Sequence, residues 1–217
     1  MNPYALIRKI IVAAITGNLP DEYRDDAVNI LTQSLNSPDE DIRALSVIGL
    51  NELSSSSPSV LNALTGAIAD SSENVRKRAI RSIGEYGTNA LPSLPHLISA
   101  LDDSNCCIRM EAMSTLGRIG PGAKAAISDL IPLMGDVDSR VRAVAAATIR
   151  RIGRASIPYL IEALTDPDSL IREQSVRLLG KFRIADDAII EAIFEACSDF
   201  DHDVRREARR VLELLEA

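Results

Sequence analysis

The sequence predicts an all-α protein, an α-solenoid of six helix pairs with an additional helix at the N-terminus. Three observations support this fold class: one motif recurs six times at a nearly constant step, apolar residues in each unit follow a helical period, and turn residues separate the helices. A single pair of amphipathic helices cannot bury its apolar faces alone. Consecutive pairs are therefore expected to stack on one another.

The repeat is clearest at a β-branched residue followed by Arg. The steps between these arginines are 33, 33, 33, 30 and 33 residues, and they join Arg43, Arg76, Arg109, Arg142, Arg172 and Arg205. An Asp lies six residues before each of the last five arginines, at Asp70, Asp103, Asp136, Asp166 and Asp199, whereas Ser37 takes this place in the first repeat. A connection shortened between Arg154 and Pro158 would explain the 30-residue step.

The second helix of each pair, helix B, begins at this motif, and its apolar residues form one stripe. A residue suited to capping precedes it, at Asp39, Ser72, Asn105, Asp138, Asp168 and Asp201. Gly87, Gly120 and Gly153 follow at positions where a glycine ends a helix. The predicted core includes Val75, Ala79, Ile83, Ile108, Ala112, Leu116, Val141, Ala145, Ile149, Ile171, Val176, Leu179, Val204, Ala208 and Leu212.

The first helix of each pair, helix A, carries prolines. Pro95 and Pro158 lie near a helix start, whereas Pro132 lies inside a predicted helix and is expected to kink it. Residues 1–19 read as an amphipathic capping helix. The whole chain, 1–217, is expected to be one solenoid domain, with repeats at about 20–55, 56–90, 91–123, 124–155, 156–186 and 187–217.

The sequence contains no pattern that points to an enzyme active site. His96 and His202 are the only histidines, and no zinc-type cysteine spacing or phosphate-binding glycine motif is present. We therefore expect no catalytic residue, no metal site and no cofactor. No apolar run is long enough to span a membrane. Three cysteines, an odd number, indicate free thiols and a cytoplasmic protein. Cys106 and Cys107 lie at the start of a predicted helix, where a reactive thiol is an alternative.

The resemblance of the repeat to a known family lies in four features: the Asp six residues before the motif Arg, the β-branched residue next to that Arg, the small residue three positions after it, and helix ends such as LGRIG and SIGEYG. With these features the repeat resembles HEAT-like repeats of the phycobilisome-lyase type. The resemblance covers about residues 20–217. It implies an α-solenoid whose B helices line the concave side and whose Asp and Arg residues form a ladder between repeats. The implied ladder consists of Asp70, Asp103, Asp136, Asp166 and Asp199 with Arg76, Arg109, Arg142, Arg172 and Arg205. This architecture serves many functions, so the resemblance does not choose among them.

Basic residues concentrate in the B helices. The thirteen-residue windows that begin at each motif Arg hold 19 of the 24 Lys and Arg but only 7 of the 31 Asp and Glu, although the net charge is −7. The helix dipole favours bases near helix ends, but it disfavours Lys77 and Arg206 in the first turn. We therefore expect an anion-binding concave face that consists of Lys77, Arg81, Arg150, Arg154, Arg177, Arg206 and Arg210.

These observations favour a non-enzymatic scaffold that binds an acidic segment or helix of another protein as a monomer. The alternative is a lyase or isomerase for a tetrapyrrole chromophore, whose propionates would also suit arginines. Low aromatic content, with no Trp, and scarce His weaken that alternative. Nucleic-acid binding is disfavoured because the sequence has few aromatic residues for base stacking and a net negative charge.

Overall fold

The computed structural model describes residues 3–53, 57–184 and 186–216. These residues form helices and turns, with no β-strand among them, which confirms the predicted all-α fold class. The chain divides into two compact units, Met1–Ile119 and Gly120–Ala217. The expected repeat boundary at residues 55 and 56 includes residues outside the described ranges.

The first unit contains a helical cap and three helix pairs. Its helices are α1 (Pro3–Ile15), α2 (Arg24–Ser34), α3 (Glu40–Leu53), α4 (Pro58–Gly66), α5 (Glu73–Gly84), α6 (Leu94–Ser99) and α7 (Cys106–Ile119). The B helices α3, α5 and α7 contact each other in sequence order. Helix α1 packs against α3, and its Ile7, Ile10 and Ile11 are buried. The N-terminal helix therefore covers the first end of this unit's core.

The second unit contains three further pairs. Its helices are α8 (Ile127–Leu130), α9 (Ser139–Ile152), α10 (Ile157–Glu162), α11 (Ser169–Phe182), α12 (Asp187–Ala196) and α13 (His202–Glu216). The B helices are α9, α11 and α13. Helix α11 packs extensively on α13, whereas α9 and α11 contact each other much less.

The A helices of the middle repeats are short and merge into 3-10 turns. As expected, Pro132 interrupts one of them: α8 ends at Leu130, and the chain continues as a 3-10 turn over Pro132–Gly135. The turns that precede α6 and α8 are seven residues long, whereas only Arg154–Ser156 precedes α10. The 30-residue step is thus a shortened connection after α9, in the predicted place.

The caps of the B helices follow the sequence with one exception. The carboxylates of Asp138, Asp168 and Asp201 accept hydrogen bonds of 2.8 to 2.9 Å from the backbone N–H two residues later. The side chain of Ser72 makes no such bond. Gly153 has a φ of 90°, in the left-handed region that a glycine adopts without strain, and it ends α9.

All predicted core residues are buried except Leu212, which is half-buried. The prediction for Leu212 was wrong by one position, because Val211 faces α11 instead. A Cβ atom on Gly180 would lie 2.7 Å from Val211 Cγ1, so the two helices touch at this point. Close backbone approach at the glycine decides which apolar residue of α13 enters the core.

Candidate functional site

Ion pairs link successive repeats within each unit. The motif Arg of one repeat meets the Asp of the next, with Nε to Oδ2 distances of 2.7 to 2.8 Å, in Arg43–Asp70, Arg76–Asp103 and Arg172–Asp199. These side chains are only 10 to 15% exposed. The pairs therefore hold repeats together and are not accessible to a ligand.

The pair of Arg172 and Asp199 shows how each rung is built. Arg172 donates from Nε and Nη2 to the two carboxylate oxygens of Asp199, and its Nη1 donates to the carbonyl oxygens of Asp166 and Pro167 at 2.8 and 3.1 Å. These hydrogen bonds from Arg172 are the main reason why the pKa of Asp199 lies below its usual value. All three nitrogens of the guanidinium thus donate to acceptors inside the fold.

Arg142 breaks this pattern. Its Nη1 donates to the carbonyl oxygens of Asp136 and Val137 at 2.7 and 3.2 Å, as in the other repeats. The expected ion pair with Asp166 does not form in the described part of the chain: Asp166 accepts from Arg172 through its backbone oxygen, and its carboxylate accepts from the Asp168 N–H. The short connection places Asp166 24 positions after Arg142, whereas the partners of the observed rungs are 27 positions apart.

The remaining motif residues Arg109, Arg205 and Asp136 also make hydrogen bonds within the turns. Arg109 donates to the carbonyl oxygens of Asp103 and Ser104 at 3.0 and 3.3 Å. Arg205 donates in the same way to Asp199 and Phe200 at 2.7 and 2.8 Å. The carboxylate of Asp136 accepts from the Asp138 N–H at 2.8 Å. The contact between the motif Arg and the two carbonyls of the preceding turn is therefore the more general feature.

A groove of about 770 Å³ separates α9 from α11, and we call it the basic groove. Helix α9 contributes Ser139, Arg142, Ala143, Ala146, Ala147 and Arg150. Helix α11 contributes Gln174, Arg177, Leu178 and Lys181. Four of the ten lining residues are cations and none is acidic. Small apolar side chains form the floor between them.

Helix α9 carries a large side chain at a position where two other B helices have a glycine in contact with the next B helix. Eight residues after the motif Arg, α5 has Gly84 and α11 has Gly180, and a Cβ atom on either would come within 3.0 Å of the next B helix. Helix α9 has Arg150 at this position. A side chain of that size prevents close approach, and the shortened connection after α9 adds to the separation.

The predicted binding residues occupy several places within the two units. Arg150 and Arg177 line the basic groove. Lys77 and Arg81 are exposed on α5 of the first unit, and Arg154 is exposed in the turn after α9. Arg206 and Arg210 lie on α13, where they line a smaller depression of about 260 Å³ with four neighbouring residues, namely His202, Arg205, Arg209 and Glu213.

The groove cations differ in whether the fold already neutralises them. Arg177 donates to Glu173 and Glu207, and Glu207 also accepts from Arg210. Chiefly because of the Arg210 hydrogen bond, the pKa of Glu207 lies below its usual value, so this buried carboxylate stays charged. Arg206 likewise pairs with Asp203 at 2.8 Å. These three cations were expected to be available to a ligand, and each has an internal partner instead.

Arg142, Arg150 and Lys181 have no internal carboxylate partner: no Asp or Glu oxygen of the described residues lies within 4.0 Å of their charged nitrogens. Sequence reasoning missed two of them, since Arg142 was assigned to the ladder and Lys181 to no site. Two signals mark this place in the sequence: the 30-residue step and the Arg that replaces a helix-contact glycine, both in the same repeat.

The chain belongs to the HEAT repeat family: a HEAT repeat family model matches residues 28–105, 68–150, 94–175 and 157–216. No curated protein matches the chain. Among solved structures, an archaeal HEAT-like repeat protein from Thermococcus onnurineus is 16% identical, with a TM-score of 0.55 over 100% of this chain and 97% of that chain.

Two other solved structures share the fold. The complex of CpcE and CpcF of phycocyanin lyase from a Nostoc species is 20% identical, with a TM-score of 0.54 over 88% of this chain and 77% of that chain. A computationally designed armadillo repeat protein for modular peptide recognition is 18% identical, with a TM-score of 0.52 over 85% and 98%. At these identities the likeness shows the fold alone.

Metal-binding clusters and membrane-length helices are absent from the described ranges. No group of three or more His, Cys, Asp or Glu side chains there is placed to hold a metal ion. No described helix is both long and apolar enough to cross a membrane.

Proposed function

We propose that this protein is a non-enzymatic scaffold that holds an acidic segment of another protein in the basic groove. The observation that carries the proposal is the charge of the lining: Arg142, Arg150 and Lys181 have no internal carboxylate partner, and no acidic residue lines the groove. Cations on the two walls of a cleft focus a positive potential there, even in a chain with a net charge of −7.

The dimensions of the groove support an extended polypeptide as the occupant. Arg142 and Arg150 are eight residues apart on α9, which corresponds to about 12 Å along the helix axis. An extended chain covers about 13 Å in four residues. A segment with acidic side chains four positions apart would therefore reach both arginines. Its small intervening side chains would lie on Ala143 and Ala147.

The setting of the proposed scaffold is the cytoplasm, where it acts as a monomer. The three cysteines, Cys106, Cys107 and Cys197, are free thiols. Free thiols suit a reducing compartment. Cys107 is exposed, but nothing around it supports a separate reactive site.

A chromophore lyase is the alternative, and the likeness in fold to a phycocyanin lyase complex is what favours it. Arginines of the groove would suit the propionates of a tetrapyrrole. The lining, however, contains no aromatic, His or Cys side chain to hold the conjugated part of such a ligand. The observations favour a peptide over a tetrapyrrole.

The test compares two double charge reversals in binding to a fluorescein-labelled peptide that carries Asp at every fourth position among alanines. Arg150→Glu with Lys181→Glu alters the groove, and Lys77→Glu with Arg81→Glu makes the same charge change on α5. We expect the groove variant to lose at least tenfold in affinity and the α5 variant less than threefold, with wild-type affinity falling as salt rises.

Equal losses in the two folded variants would show that only the overall charge matters and would contradict the proposal. The same wild-type protein is mixed with a linear tetrapyrrole, and its absorbance is recorded. A spectral change with the tetrapyrrole and no binding of the peptide would support the lyase alternative instead.

A further inference from the structure

We infer that Arg142 is the specificity-determining residue of the basic groove, and that a side-chain carboxylate of the bound segment takes the place of the ladder Asp that Arg142 lacks. This inference rests on the proposed function, since it names the group that the groove recognises. It assigns to Arg142 a role different from that of the ladder arginines.

Arg142 and Arg172 are motif arginines of the same unit and share one set of hydrogen bonds. Both use Nη1 to bind two carbonyl oxygens of the preceding turn, at 2.7 and 3.2 Å for Arg142 and at 2.8 and 3.1 Å for Arg172. These bonds fix the plane and the direction of the guanidinium. Arg172 then donates from Nε and Nη2 to Asp199, whereas the same two nitrogens of Arg142 have no partner among the described residues.

Arg142 borders a space large enough for a ligand. Arg142 is half-buried and lines the basic groove beside Ala143 and Ala146, whose small side chains leave room. In the observed rungs a carboxylate fills the corresponding position with two parallel hydrogen bonds. Because the guanidinium is already held in place, a ligand carboxylate would lose little freedom of the protein side chain on binding.

Two features of the surroundings explain why the carboxylate must come from outside. Asp166 is held in its own turn by the N–H of Asp168 and does not reach Arg142. None of the other residues that line the groove is acidic. The geometry of two parallel donors favours a planar carboxylate and requires Arg at this position, because the ammonium of Lys offers no such fork.

Arg150 and Lys181 have a different role in this arrangement. They are exposed, and no carbonyl of the described residues accepts a hydrogen bond from their side chains. Exposed, mobile cations attract an acidic segment but discriminate weakly between anions. We therefore expect Arg142 to determine which group is bound and the other two cations to increase affinity in general.

The experiment measures binding of the labelled Asp–alanine peptide by fluorescence anisotropy to the full chain. The variants are Arg142→Ala, Arg142→Lys, Arg150→Ala and Arg151→Ala; the last is a matched control, since Arg151 is exposed on the same helix and does not line the groove. We expect affinity to fall at least tenfold for both Arg142 variants, about threefold for Arg150→Ala and less than twofold for Arg151→Ala.

The outcomes separate the inference from the proposed function. If the wild type binds the peptide and Arg142→Lys binds equally well, the carboxylate anchor is refuted while the proposed groove remains. If the wild type does not bind, the proposed function fails together with the anchor. Should Arg142→Ala be unfolded by circular dichroism, Arg142→Gln replaces it, because its amide can still donate to the two carbonyls. A folded Arg142→Gln variant with wild-type affinity would also refute the anchor.

Discussion

The different use of Arg142 and Arg172 leads to a prediction about stability that needs no ligand. Replacement of either Arg by Ala removes two hydrogen bonds to carbonyl oxygens. Only Arg172→Ala also removes a carboxylate pair, with distances of 2.8 and 2.9 Å to Asp199. The two variants therefore share every loss except that of the ion pair.

The magnitude follows from the burial of the pair. Arg172 and Asp199 are 12 and 10% exposed, so Arg172→Ala leaves a carboxylate largely shielded from water and without its counter-charge. Loss of one partner of a buried pair lowers the free energy of unfolding by about 3–5 kcal/mol, and partial exposure here places the expected loss near 2–4 kcal/mol. For Arg142→Ala we expect about 1 kcal/mol, from the hydrogen bonds to the carbonyls alone.

The assay is urea unfolding at pH 7, monitored by circular dichroism at 222 nm. The dependence of the unfolding free energy on urea concentration is compared among the wild type and the two variants. Asp199→Asn and its combination with Arg172→Ala complete a double-mutant cycle, in which we expect a coupling free energy of at least about 1 kcal/mol. Equal losses for Arg142→Ala and Arg172→Ala would refute the reasoning. They would mean that the ladder carboxylate adds nothing and that Arg142 is not a rung left open.

Two further predictions concern Gly180 and Asp199 of the second unit. Gly180→Ala is expected to lower the free energy of unfolding by about 1–3 kcal/mol, because the added Cβ would lie 2.7 Å from Val211 Cγ1. Gly66→Ala is the control, since nothing lies within 4 Å of its added Cβ. In the same urea assay this control is expected to raise the free energy of unfolding by up to about 1 kcal/mol. The pKa of Asp199 is lower in the folded protein than its ordinary value of 3.8. The ionised carboxylate therefore stabilises the fold fully at a pH above 3.8. This stabilisation is lost as the pH falls through the lower pKa of the folded state. The difference in unfolding free energy between the wild type and Asp199→Asn should therefore be constant from pH 7 to about 5 and shrink below pH 4; a difference that grows on acidification would contradict the assigned direction.

Much of the fold could be predicted because it depends on local sequence. Helix period, capping residues and the motif step are properties of short segments, and they placed the B helices, the break at Pro132 and nearly all core positions. The exception, Leu212, arose where the contact of Gly180 with Val211 decided which side of α13 is buried. A packing contact between residues 31 positions apart is not visible in a local pattern.

The candidate site was predicted less well, because charge in a sequence does not show which charges are already paired. The sequence indicated basic B helices and an anion-binding face. Only the tertiary structure showed that Glu207 neutralises both Arg177 and Arg210. Glu207 lies 30 positions after Arg177 in the sequence. It also showed that Arg177 and Arg210 face different depressions.

The sequence by itself thus determined the repeat, the helix pairs, the buried stripe and the kind of charge on the B helices, since each follows from spacing along one helix. The tertiary structure alone decided where α9 and α11 separate and which cations remain without an internal partner. The physical reason is that an ion pair or a helix contact depends on distances between repeats. Three residues fewer in one connection, together with Arg150 in place of a glycine, change those distances and leave Arg142 without the partner that its motif predicts.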